Sequence, residues 1–202
     1  MAVPPPKDDD IFITPAGLRK RYGNFDPNTF TYWQEKALVR KLRNGLYLNN
    51  AFEVKGKADQ FMIANQLYEP SYVSLHSALH YYGLIPEFPY EVTSVATKKT
   101  TRTVDGKKRY SYRTLKPELF FGFENVPWRG QHYSVAYPEK ALLDLAYLEP
   151  QFSDHAWVEE MRFDHGSIME LDWDRLTHFS HIMDSEVVRQ RIAVLLDVLA
   201  DD

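Results

Sequence analysis

Residues 13–50 read ITPAGLRKRYGNFDPNTFTYWQEKALVRKLRNGLYLNN, and the way they fold decides the reading of the whole chain. Thr14 carries a hydroxyl able to cap a helix, and Pro15 suits the first helical position, where its missing N–H would lack a partner anyway. Leu18 and Tyr22 share one face of the short helix this starts, and Gly23 ends it in the left-handed conformation. Asn24 and Phe25 make a turn. The signal then repeats: Asp26 caps, Pro27 begins, and a second helix is expected to run to Leu38. Two short helices around a Gly/Asn turn spell a helix-turn-helix. Past it, Val39, Leu42, Leu46 and Leu48 are apolar, with Arg40, Lys41 and Arg43 among them. Asn44-Gly45 predicts a two-residue type I′ hairpin, because both central residues of that turn need positive φ. The hairpin is a wing with a basic near strand, and Ile11 to Ile13 is expected to add a short strand to it.

Charge follows the same boundary. Between Gly17 and Gly45 stand seven cations (Arg19, Lys20, Arg21, Lys36, Arg40, Lys41, Arg43) against Asp26 and Glu35, a local +5 in a chain of net charge −4. That is a footprint for phosphate. Asn28, Thr29, Tyr32, Trp33 and Lys36 fall on the early turns of the second helix, where such helices meet base edges, with Arg40, Lys41, Arg43 and Asn44 on the wing. Tyr32 or Trp33 serves equally well as core, since one face must pack on the first helix. A helix pair and hairpin used for protein contacts is the plainer alternative.

The 202 residues suffice for one large or two small domains, and the 14% aromatic content argues against general disorder. No cysteine is present, which excludes disulfides and thiolate metal sites and suits a reducing cytoplasm. No apolar run approaches a membrane span, so a cytoplasmic protein without membrane contact is expected. Residues 1–10, three prolines followed by an acidic run, are expected to be a disordered arm. Residues 11–50 form the winged helix-turn-helix, and residues 57–202 a second domain.

That second domain reads as α+β: a mixed sheet of about four strands with flanking helices and a helical, acidic tail. Helices are expected over Lys57–Tyr68, from an N-cap at Ser74 to Gly83, from Pro138 to Leu148, and through the tail over 156–162, 173–182 and 186–199. Strands are expected over Glu91–Thr97, Tyr110–Leu115, Leu119–Glu124 and His132–Ala136. Residues 97–116 hold eight cations against Asp105, whereas residues 149–202 hold thirteen acids against four arginines. This asymmetry implies a basic working side and an acidic side turned away from nucleic acid or toward a basic partner. Lys98, Lys99, Arg102, Lys107, Lys108 and Arg109 form a secondary basic surface. A solvated hairpin, a second phosphate contact and a site for an acidic partner all fit it.

The ordered set PSYVSLHSALHYYGLIP from Pro70, EVTSVATKKT from Glu91, LFFGF from Leu119 and PEKALLDLAYL from Pro138 resembles the AbiEi family of antitoxin-like transcriptional regulators. These belong to type IV toxin–antitoxin, or abortive infection, systems. With the winged helix in front, the resemblance covers residues 13–148. It implies an N-terminal domain that binds double-stranded operator DNA and represses its own operon. It also implies a second domain that neutralises a nucleotidyltransferase-like toxin encoded beside it. The alternative is a winged-helix transcription factor whose second domain senses a ligand or protein, with no toxin partner.

Chemistry of other kinds is weakly signalled. His76 and His80 stand four apart on one helix, but no Glu follows His76 and no third ligand is indicated, so no metal is expected. Asp172 and Asp174 read as helix capping. Ser71, Ser74 and Ser77 suit capping or helix surface better than nucleophilic attack. Glu139 suits a helix N-terminus, and Lys140 and Asp144 are spaced to pair along the helix. No nucleophile–base–oxyanion set emerges, so neither an enzyme nor a cofactor is expected.

Overall fold

A computed structural model describes residues 3–201, so Met1 and Ala2 of the expected arm and the terminal Asp202 lie outside the described residues. The fold is mixed α+β, and the chain divides into two compact units after Gly56. Among the described residues no helix is long and apolar enough to cross a membrane.

In the first unit, β1 (Phe12–Ile13) leads into α1 (Pro15–Tyr22), α2 (Thr29–Glu35), β2 (Val39–Arg43) and β3 (Leu46–Asn49). Thr14 Oγ1 accepts from the Gly17 N–H at 3.0 Å, and Gly23 ends α1 at φ 73°. The three strands order as β1-β3-β2, all antiparallel, so the residues at Ile13 do pair with the hairpin. Ile13, Leu18, Phe30, Trp33 and Val39 make the core, with Phe30 stacked on Tyr47 at 4.1 Å between centroids. Residues 3–10 form neither helix nor strand, yet Val3 packs on this core and Asn49 Nδ2 donates to the Lys7 carbonyl at 2.7 Å.

Two local expectations are corrected here. Helix α2 starts at Thr29, because the Asp26 carboxylate accepts from the Asn28 N–H at 2.8 Å and holds a turn in front of it. It stops at Glu35 instead of Leu38: Ala37 takes φ 53° and Leu38 N–H returns to the Trp33 carbonyl, a Schellman closure with alanine where glycine is usual. The hairpin turn is also not type I′. Only Gly45 has positive φ (74°), and β2 carries a bulge between Lys41 and Arg43 that supplies the twist with one left-handed residue.

The second unit is built on six strands, not four. These are β4 (Ser71–Val73), β5 (Val92–Ala96), β6 (Thr101–Asp105), β7 (Lys108–Thr114), β8 (Phe123–Trp128) and β9 (Gln131–Ala136). The sheet order is β6-β7-β5-β4-β9-β8, with parallel pairing for β4/β9 and β5/β7. Three residues of β4 carry too little periodicity to be read, and β6 hides in the threonine-rich basic segment. Of the run LFFGFE only Phe123 and Glu124 are strand, opening β8. A 3-10 turn takes Pro117–Leu119, and Gly122 at φ 73° breaks the chain before β8. Its rings diverge: Phe120 and Phe123 pack on Tyr72, whereas Phe121 packs on Phe179.

Helices α3 (Lys57–Leu67), α4 (Leu75–Tyr81) and α5 (Pro138–Leu148) pack on this sheet. The tail forms α6 (His155–Glu160), α7 (His165–Met169), α8 (Trp173–Met183) and α9 (Glu186–Asp201). Leu75 begins α4 at φ 56°, a left-handed conformation that costs a leucine strain. The expected Ser74 cap is absent, because its hydroxyl donates to Asp144 Oδ2 at 2.8 Å. Asp144 is fully buried, as is Lys140, its ion-pair partner. Tyr72 completes the knot, accepting from Lys140 Nζ at 3.0 Å and donating to Asp144 Oδ2 at 3.0 Å. Burial, reinforced by the Asp144 charge, holds the Tyr72 pKa well above its ordinary value, so it stays a neutral donor. Ser71 and Ser77 are buried as well, not helix surface.

A buried ion pair broken on one side leaves an uncompensated charge. Lys140→Met should therefore destabilise the protein by about 3–5 kcal/mol in denaturant melts. Adding Asp144→Asn should recover part of that loss. Equal stability of Lys140→Met and the native chain would remove the knot from the account.

Candidate nucleic-acid interface

The first unit sorts its sequence-predicted site residues by burial. On α2, Thr29 and Trp33 are 9% and 2% exposed, and Phe30 between them 6%. Trp33 is therefore core and not a base contact, and Thr29 goes with it: the helix has one inward stripe, and the heavier aromatics fill it. Asn28, Tyr32 and Lys36 stand outward at four-residue steps, one face of the helix. Tyr32 is 54% exposed, with Lys36 Nζ 5.9 Å from its ring centroid.

The basic hairpin contributes unevenly. Lys41, Arg43 and Asn44 are exposed, whereas Arg40 is half-buried and donates to Asn50 Oδ1 at 3.2 Å. Strand β2 is the edge of its sheet, so its cations border solvent beside the helix packed against it. Helix α1 adds exposed Arg19, its guanidinium 5.9 Å from the Phe25 ring centroid, and exposed Lys20. Arg21 is committed elsewhere, to Asp10 at 2.9 Å. The acids Asp26 and Glu35 flank α2, and the residues between them carry no charge, so the positive charge beside this face comes from Lys36 and from Lys41 and Arg43 of the hairpin.

Comparison with known protein families matches no family model, and no curated protein matches the chain.

Two outward residues were missed from the sequence. Thr31 and Gln34 are exposed on α2, with Gln34 Nε2 donating back to the Phe30 carbonyl at 3.1 Å. Counting 100° per residue from the buried pair Phe30/Trp33 would have found Thr31; choosing side chains by their chemistry passed over it.

In the second unit, the six secondary basic residues lie on or beside the β6–β7 hairpin. Lys98 donates to the Glu69 carbonyl and its Nζ lies 5.5 Å from the Tyr68 ring centroid. Arg102 pairs with Glu91 at 3.5 Å, and Arg109 lies 4.8 Å from the Tyr90 ring centroid. Lys99, Lys107 and Lys108 are exposed. The histidines go their own way: burial lowers the His76 pKa, and His80 Nδ1 contacts the Ile85 carbonyl at 3.3 Å.

If Lys41 and Arg43 each hold a phosphate, the Lys41→Ala, Arg43→Ala double variant should weaken duplex binding. It should also reduce the slope of log affinity against log salt by about 0.9 per lost contact. A slope equal to that of the native chain would take the hairpin out of the interface.

Proposed function

We propose that the first unit is a winged helix-turn-helix that binds double-stranded DNA in front of its own gene. The observation carrying this is the exposure pattern of α2: aromatic residues inward, Asn28, Tyr32 and Lys36 outward, beside a basic edge hairpin. The strand order β1-β3-β2 supports it, since a short first strand tucked against the hairpin is the winged-helix arrangement. In this reading Lys41 and Arg43 grip phosphate and set the register. Asn28, Thr31 and Tyr32 then face the major groove, where an asparagine amide can pair with adenine N6 and N7.

We further propose that the second unit is the antitoxin half of an AbiEi-like regulator, acting in the cytoplasm on a nucleotidyltransferase-like toxin from the same operon. The ordered motifs from Pro70 to Leu148 support this half. The part of the tail packed on α5 is held partly by Arg191 of α9, whose Nη1 donates to the Ala146 carbonyl at 2.7 Å. The reading assigns no catalysis and no cofactor to the chain.

A growth assay separates the two halves. The adjacent reading frame is expressed alone, with this chain, and with a form lacking the residues before Ala51. Arrest by the neighbour, with rescue by both forms, is the expected result. A neighbour that leaves growth unchanged would remove the antitoxin role and leave the DNA-binding role standing.

A further inference from the structure

Strands β6 and β7 leave part of a sheet face uncovered. Arg102 and Val104 of β6 lie opposite Ser111 and Arg109 of β7, and alternation along β7 adds Arg113 to the same side. On the inner side Ser111 meets Thr93 of β5. His76 of α4 and Glu149 after α5 border that inner part, where a groove of about 600 Å³ has Thr93, Ser111 and Arg113 among its lining. It runs outward past Glu91 and Arg102 into a second groove of about 490 Å³ between Tyr90, Val104 and Arg109.

The aromatics set this edge apart from a merely charged surface. Tyr90 is 79% exposed and Phe88 62%. Each has a cation at its ring: Arg109 at 4.8 Å from the Tyr90 centroid and Lys57 Nζ at 5.8 Å from that of Phe88. Glu91 and Glu149 are engaged by Arg102 and Arg113, while Lys107, Lys108 and Arg109 extend the positive rim.

Duplex DNA keeps its bases stacked inside and would use only the cations. A protein partner would bury an apolar centre, but the exposed apolar side chains at this edge are Val104 and two rings that each carry a cation at the face. An unpaired base with its phosphate uses both halves of what is displayed: the ring face for the base, the neighbouring cation for the phosphate. We infer that this edge binds single-stranded nucleic acid. An unpaired base stacks on Tyr90, and Arg102 and Arg109 hold the backbone; Phe88, in a neighbouring groove that shares Tyr90 and Arg109 and adds Lys108, offers a second ring. Ser111 lines the groove and offers its hydroxyl as a hydrogen-bond partner for sugar and phosphate, whereas the Thr93 hydroxyl is taken by the Ser74 carbonyl and the Ser77 N–H. RNA and single-stranded DNA share this chemistry. The inference stands apart from the duplex-binding role of the first unit.

The test uses the full chain and labelled mixed-sequence oligonucleotides about twenty residues long, as RNA, as single-stranded DNA and as duplex, read by fluorescence anisotropy. Tyr90→Ala should weaken single-strand binding by about fivefold to a hundredfold. Tyr90→Phe should restore it, because the ring and not the hydroxyl does the stacking. Arg109→Ala should lower the single-strand salt slope by about 0.7. Duplex binding should stay as in the native chain for all three. The ratio of RNA to DNA affinity distinguishes the sources, since the 2′-hydroxyl is the difference between them. Tyr90 is 79% exposed, so its truncation leaves the core intact, checked by an unchanged melting temperature. Unchanged single-strand affinity in Tyr90→Ala would overturn the inference. So would parallel loss of duplex binding, or displacement of the oligonucleotide by poly-glutamate as readily as by a single strand.

Discussion

The first unit depends on the burial of two rings. Helix α2 is seven residues long, too short to persist alone in water. Phe30 and Trp33 hold it down, edge to face at 5.6 Å, and Phe30 stacks in turn on Tyr47 of the hairpin. Each such burial is worth about 1.5–3 kcal/mol. The same contacts fix the rotation of the helix about its axis, and so they decide which side chains look outward. Asn28, Thr31, Tyr32 and Lys36 are displayed because Phe30 and Trp33 are not. The helix and the basic hairpin thus share one core, through the stack of Phe30 on Tyr47 and the packing of Trp33 with Val39.

The second unit has its own constraint, the buried knot of Tyr72, Ser74, Lys140 and Asp144. It pins α5 against the short central strand β4. The close fit extends to Gly122, where a Cβ would lie 2.9 Å from Lys140 Cγ, so the break that ends the LFFGF run and the buried lysine require one another. Ser74 surrenders its cap to this network, and Leu75 next to it sits in a strained conformation. Around this well-fixed centre the helices gather on the inner strands, and the β6–β7 edge is left open. Its exposed arginines and Tyr90 therefore rest on a rigid base.

What could be read from the chain divides along physical lines. Caps and breakers are local, so Thr14, Pro15, Gly23, Pro138 and the hairpin glycine announced their elements. Alternation marked β9, where Tyr133 and Val135 are buried and Ser134 between them is not; β5 was also legible as a strand, although all five of its residues are buried. Reading failed where tertiary contacts overrode local chemistry. Ser74 looks like a cap until Asp144, seventy residues away, claims its hydroxyl. Asn44-Gly45 looks like a type I′ turn until a bulge shares the twist. LFFGFE looks like a strand because three phenylalanines around one glycine do not say which partners they will find. At the candidate interface, charge was legible and orientation was not: Lys41 and Arg43 are exposed on β2, but only the packing of Trp33 shows that it belongs to the core.

The central claim is that the exposed face of α2 reads DNA sequence and does not merely attract phosphate. The direct measurement is competition. The full chain is bound to the duplex lying in front of its own gene, at physiological salt, and challenged with random duplex. A sequence reader should prefer its own site by at least about a thousandfold. Replacing Asn28 and Tyr32 by alanine should collapse that ratio while leaving the affinity for random duplex intact. A native chain that holds both duplexes equally well would contradict the account.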